Sequence, residues 1–295
     1  MDRTGVNWTL TPDQFAMAWA RTDGDRMPYP LAVRLSARDT SERDAQLPAL
    51  NRWCEQTLDA DLEGALRVLA RPAVRIEVFG QRDAAAQEPG STGDRSGSGH
   101  DEAIEPTGLL GQSDPVTAAP DIAAETRPVR VLGAIAGDIA VVAAQRSGAS
   151  ADRGGDIRLF VDRVKNLSAR VISVLPENTP GTMAQLTAPL ARVSEDSRDL
   201  VTVPVAGPAT PTRIRKLLRQ SRDGIGQIVV SVRRPDGELR PFGVLCWIDV
   251  VGDGRYTVRT GVDVDIMPVT AQRFTSVLRP MVTAAERTLA FAERW

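Results

Sequence analysis

The sequence predicts an α+β fold: antiparallel strands that carry helices packed to one side or at the ends, arranged as a pseudo-twofold internal repeat. Three observations carry this. Segments that alternate apolar and polar residues are joined by Gly-Asp turns, which makes hairpins and therefore antiparallel pairs. Segments of helical period stand before and after each group of strands, rather than between single strands as in βαβ units. The order helix, strand, hairpin, strand, helix also occurs twice along the chain. With 42% hydrophobic and 25% charged residues in 295, most of the chain has the composition of a folded globular protein. We expect a single domain, residues 1–295, made of two related halves at about 1–176 and 177–295.

The first half opens with helices. Thr11-Pro12-Asp13-Gln14 is a capping box with proline at the first helical position, and Phe15 and Trp19 then share one face. Met27-Pro28-Tyr29-Pro30-Leu31 reads as extended or turning, because each proline disfavours helix in the residue before it. A second helix carries Leu47, Leu50 and Trp53 around Pro48, and a third carries Leu62, Ala65, Leu66 and Leu69 up to Pro72. Strands follow. Val74, Ile76 and Val78 alternate with Arg75 and Glu77, and Val129–Ile135 and Ile139–Ala144 form a hairpin about Gly137-Asp138. Asp156–Val161 is a further strand, and Val164, Leu167, Val171 and Val174 mark a helix that Pro176 stops.

The stretch from Gln81 to Arg127 interrupts this pattern. It holds nine acidic residues against three Arg, a local charge of −6, with dense Gly, Ser and Pro and no period. Such a segment buries too little apolar area to offset its ordering entropy, so we expect a disordered acidic insertion at 81–127.

The second half repeats the order. Thr210-Pro211 starts a helix bearing Ile214, Leu217 and Leu218, for which Gly224 is the natural C-cap. Strands are expected at Gln227–Arg233, Gly243–Val250, Arg255–Thr260 and Val262–Met267, with turns at Pro235-Asp236-Gly237 and Gly252-Asp253-Gly254. The closing helix presents Phe274, Val277, Met281, Ala285 and Leu289 on one face, with Pro280 inside it. Val131–Asp138 echoes Val244–Asp253, and Asp156–Leu159 echoes Asp263–Ile266.

Chemistry-bearing patterns are sparse. The one histidine, His100, falls in the acidic insertion, so no Ser-His-Asp or Cys-His arrangement has a positioned base. Cys54 and Cys246 stand apart from any ligand spacing and read as buried reduced thiols. Gly224-Ile225-Gly226 leads into a strand rather than a helix, which argues against a phosphate loop. Asp249 with Gly252-Asp253-Gly254 lacks the alternating carboxylates of a calcium loop. Asp263 and Asp265 share a strand face, as solvated edges commonly do. We therefore expect no catalytic, cofactor-binding or metal residues and no enzyme. A net charge of −2 with only two lysines offers no basic stripe for nucleic acid. The chain has no apolar run long enough for a membrane span, and its start is polar, so a cytoplasmic location is expected.

The motifs carry a family resemblance. Trp8-Thr9-Leu10-Thr11-Pro12-Asp13-Gln14-Phe15 with Trp19, then Pro28-Tyr29-Pro30-Leu31, resembles the opening of the EspG family. Leu69-Ala70-Arg71-Pro72, Gly224-Ile225-Gly226-Gln227-Ile228, Trp247-Ile248-Asp249 and Gly252-Asp253-Gly254-Arg255-Tyr256 continue the likeness over nearly the whole chain. The resemblance implies an α+β fold, a central antiparallel β-sheet with flanking helical bundles and a pseudo-twofold internal repeat, and a cytosolic chaperone of type VII secretion. Such a protein binds the tip of helical PE–PPE heterodimers and shields an aggregation-prone end. It implies no cofactor. A second reading is a homo-oligomeric interaction or regulatory protein without PE–PPE clients, and homodimer formation stays open under either. The acidic insertion is longer than the corresponding loop of mycobacterial members, which touches the substrate.

By resemblance the substrate docks against the sheet and the adjoining C-terminal helices. In Gln227–Arg233 the two-residue period turns Ile228, Val230 and Val232 to the helices and Gln227, Val229, Ser231 and Arg233 to the other face. Those four are the candidate partner-binding residues. Trp8, Phe15 and Trp19 are expected in the core, and Tyr256 in cross-strand packing.

Overall fold

The computed structural model describes residues 6–22, 26–83, 126–195 and 209–292. In chain order the first half holds β1 (Asn7–Leu10), α1 (Pro12–Thr22), α2 (Thr40–Thr57), α3 (Ala60–Ala70), β2 (Val74–Asp83), β3 (Thr126–Ala136), β4 (Ile139–Ser150), β5 (Arg153–Arg163) and α4 (Leu167–Ser173). The second holds β6 (Leu186–Pro189), α5 (Leu190–Ser194), α6 (Thr210–Leu218), β7 (Arg222–Arg233), β8 (Leu239–Val250), β9 (Gly254–Thr260), β10 (Asp263–Pro268) and α7 (Ala271–Ala292). All ten strands join one antiparallel sheet in the order β1-β5-β4-β3-β2-β7-β8-β9-β10-β6. The two runs of strands meet where β2 pairs with β7, Ile76 opposite Val230.

Local sequence explains why the elements begin and end where they do. The Gln14 amide donates to Thr11 Oγ1 at 3.2 Å, and the Thr11 amide donates to Gln14 Oε1 at 2.9 Å, so the expected capping box starts α1. Asp39 and Asp59 cap α2 and α3 by accepting from the Glu42 and Leu62 amides. Gly137, Gly237 and Gly252 take positive φ at the expected hairpin turns, a conformation that costs any other L-residue strain.

Three apolar clusters hold the layers. On one face of the sheet, Val74, Ile76, Val78, Val131, Val142, Ile228, Val230 and Val232 pack under α4 and α7, with Phe274 and Leu278 fully buried. On the other face, α1 and α3 cover β3, β4 and β5. Phe15 and Trp19 stack at 5.6 Å between ring centroids above Leu132, Val141 and Leu159, and Trp8 lies half-buried at their margin. At the far end of that second face, α5 and α6 cover β6, β8, β9 and β10 around Tyr256. The Tyr256 hydroxyl donates to Asp253 and accepts from the Met183 amide at 2.9 Å, a role beyond the cross-strand packing expected of it.

Several expectations are corrected. Gly224 and Gly226 are strand residues of β7, not a helix cap, since α6 ends at Leu218. A Cβ on Gly226 would lie 2.1 Å from the Trp247 ring and one on Gly224 2.5 Å from Asp249 Oδ2, so the glycines make room for large groups on β8. In α2 the buried residue is Cys54, while Leu47, Leu50 and Trp53 are half-buried. Strand β10 is no edge, because β6 pairs along it, and Asp265 accepts from Gln185 Nε2 and Thr187 Oγ1. The acidic insertion is narrower than 81–127. Gln81–Asp83 and Thr126–Arg127 belong to the β2–β3 ladder, Asp83 opposite Thr126. Residues 84–125, His100 among them, lie outside the described residues.

Candidate partner-binding surface

The described helices leave one strip of the sheet uncovered. On the face covered at one end by α1 and α3 and at the other by α5 and α6, no described helix packs on the middle strands β2 and β7 or on the adjoining start of β8. Strand spacing of about 4.8 Å makes this strip about 10 Å from outer strand to outer strand, close to the diameter of one α-helix.

Register fixes which side chains form its floor. Glu77 stands opposite Val229 and Phe79 opposite Gln227, while on the other side of β7 Val229 faces Val244 and Gln227 faces Cys246. Val244 is 49% exposed, Gln227 is exposed, and Glu77, Phe79, Val229 and Cys246 are half-buried. Tyr29, 52% exposed, overhangs one side with its ring 6.1 Å from that of Phe79. Arg75 donates to the Tyr29 carbonyl at 2.8 Å and pairs with Glu77 at 3.0 Å. The strip thus mixes exposed apolar groups with a few polar ones, the composition of a non-obligate interface.

Burial dominates the electrostatics there. It raises the Glu77 carboxyl above its ordinary pKa, and the nearby Arg75 guanidinium offsets only part of the rise. The Tyr29 hydroxyl is raised by burial and then by the Glu77 charge, with Arg130 opposing. The Cys246 thiol is raised by burial, which keeps it protonated and unreactive. Among the described residues, no group of three or more His, Cys, Asp or Glu is placed to hold a metal ion, and no helix is long and apolar enough to cross a membrane.

Of the four residues expected to bind a partner, two lie on the open strip: Gln227 and Val229. Ser231 is on the expected face but only 6% exposed, set between Arg75 on β2 and Pro241 on β8 at a bulge in the β7–β8 ladder. Arg233 is half-buried and its guanidinium serves the scaffold, donating to the Pro72 carbonyl at 2.8 Å and the Gly237 carbonyl at 2.7 Å. Tyr29, Glu77, Phe79 and Val244 escaped the sequence reading. The alternation in β2 was visible, but its neighbour β7 was not, and only that pairing brings the residues together.

The EspG family model matches residues 11–100 and 114–280. Among solved structures, the chain is similar to the Mycobacterium tuberculosis type VII secretion system chaperone EspG5 in its complex with a PE25–PPE41 dimer. The TM-score is 0.55 at 18% sequence identity, covering 95% of each chain. No curated protein matches the chain.

Proposed function

The chain belongs to the EspG family, and from that premise we propose that it is a non-catalytic cytoplasmic chaperone. Its client is a helical type VII secretion substrate of PE–PPE kind, which it keeps soluble for export. The similar chaperone EspG5 was solved in complex with such a dimer. The observation that carries the reading is the strip over β2, β7 and β8 that no described helix covers, wide enough for one helix at the tip of a bundle and lined by Tyr29, Phe79, Val229 and Val244. Covering those side chains with a partner's apolar tip removes them from water on both sides. Gln227 stands at the margin as a hydrogen-bonding group.

The proposal includes the architecture: one domain of two related halves, about 1–176 and 177–295, around a pseudo-twofold axis between β2 and β7. The strand order supports it. Reading outward from that junction gives β2-β3-β4-β5-β1 on one side and β7-β8-β9-β10-β6 on the other. Each half contributes strands in the same sequence and ends on a four-residue strand that precedes the others in its half.

Co-expression with a PE–PPE heterodimer from the native host, followed by size-exclusion chromatography and titration calorimetry, tests the function. A soluble complex is expected. Val229→Glu combined with Val244→Glu should weaken it at least tenfold, because each places an unpaired charge in the buried centre of the interface. Ser231→Arg is unsuitable for this test, since Ser231 is buried and the change would disturb folding. Undiminished binding by the double variant moves the surface elsewhere. Failure of the unaltered chain to bind any such dimer, with self-association in sedimentation, supports the homo-oligomeric reading instead.

A further inference from the structure

On the opposite face of the sheet, five arginines from four neighbouring strands line one cavity: Arg82 from β2, Arg127 and Arg130 from β3, Arg146 from β4 and Arg158 from β5. The cavity has a volume of about 610 Å³ and opens beyond the end of α4. Its floor is apolar, formed by Val129, Val131 and Phe160. Two carboxylates reach its lining, Asp83 and Glu177. Among the described residues, Arg127, Arg146 and Arg158 take part in no ion pair.

Arg82 and Arg127 stand directly opposite each other in the β2–β3 ladder, so their like charges repel, and Arg82 Nη1 donates to the Glu177 carbonyl at 2.6 Å. Phe160 holds the Arg158 guanidinium 5.6 Å and the Arg170 guanidinium 4.9 Å from its ring centre, so the positive charge is positioned rather than dispersed into solvent. Planar guanidinium forks over an apolar floor match carboxylates carried on a chain with apolar side chains. An inorganic anion would leave most of the volume and all of the floor unused.

We propose that this cavity binds a carboxylate-rich peptide segment, its acidic side chains on Arg127, Arg146 and Arg158 and an apolar side chain against Phe160. The occupant is this chain's own segment 84–125, which carries eight acidic residues against one Arg and is flanked in sequence by cavity-lining residues. A tethered segment acts at millimolar effective concentration and would compete with an external peptide.

A fluorescein-labelled twelve-residue peptide of Glu, Ala and Phe, titrated by anisotropy in about 50 mM salt, tests the site. It is titrated against the full chain and against a form in which an Asn-Gly turn replaces 84–125 between the paired Asp83 and Thr126. Saturable binding is expected, weakened at least tenfold by Arg146→Glu with Arg158→Glu. If those reversals impair folding, Arg146→Gln with Arg158→Gln should weaken it in the same direction. Binding at least tenfold tighter in the shortened form identifies the chain's own segment as the resident, and equal affinities in the two forms would overturn that assignment. Absence of saturable binding in both forms, affinity indifferent to the arginine changes, or displacement by inorganic phosphate at concentrations matching the peptide would each overturn the proposal.

Discussion

The two faces of β7 are one residue apart in sequence and meet opposite surroundings. Ile228, Val230 and Val232 lie in the largest apolar cluster under α4 and α7, each at most 3% exposed. Gln227 and Val229 lie on a strip that no described helix covers. A period of two tells only that the faces differ. Which face receives a helix depends on where the chain goes many residues later. Here α7, from the end of the chain, fills one side, while α3 and α6 stop short on the other. The lesson is that an open sheet face arises from topology, and its residues need no unusual local sequence.

The largest effect should come from the covered face. Trp247 is 1% exposed and lies over Gly226, with Phe274 of α7 at 6.2 Å between ring centres. Trp247→Ala should cost about 3–5 kcal/mol in urea unfolding, because the cavity it leaves is lined by backbone that cannot collapse. Val244→Ser, three residues earlier but on the bare strip, should change stability by less than about 0.5 kcal/mol. Similar losses for both would erase the distinction between the faces.

A second test extends the covered face toward its end. Arg255 donates Nε and Nη2 to the two carboxylate oxygens of Asp249, both at 2.7 Å, with side-chain exposures of 7% and 1%. Asp249→Ala should destabilise the fold by about 3–5 kcal/mol, since it strands a buried guanidinium. Replacing both partners with apolar residues, Asp249→Leu with Arg255→Met, should recover most of that loss by the same measurement. If the double change is as damaging as the single one, the pair does more than satisfy itself.

Much of the covered architecture was legible because its signals are local. The capping box at Thr11, the Gly-Asp hairpins and the alternation through Val74–Val78 all act within a few residues, and each appears where its chemistry places it. What was missed is nonlocal. The four-residue strands β1 and β6 show no period of their own and exist through pairing with β5 and β10. Gly224 and Gly226 looked like a helix cap because the reason for them, the Asp249 and Trp247 side chains, lies on a different strand. The strip suffered the same way. Val229 could be placed on a face, but Glu77 and Phe79 became its neighbours only through the β2–β7 pairing.

The smallest expected effect concerns Glu77, the one acidic side chain on the floor of the strip. Its raised pKa, caused first by burial and opposed by Arg75, means that ionising it costs the folded state more than the unfolded one. Its sign opposes that of an ordinary paired carboxylate. Between the unfolded carboxyl value of about 4.3 and the raised folded value, the native state holds more protons, so this group's contribution falls as pH rises. Above the folded value the penalty is complete and constant. Glu77→Gln keeps the shape and can still accept from Arg75 at 3.0 Å, but it has no charge to desolvate. The variant should therefore melt slightly higher than the unaltered chain at neutral pH, and the difference should shrink as the pH falls through the raised folded value and vanish below about 4. Melting curves at a series of pH values measure it. A difference that widens on acidification would mean that the Arg75 ion pair outweighs burial, making the strip's floor a salt-bridged surface rather than an apolar one awaiting a partner.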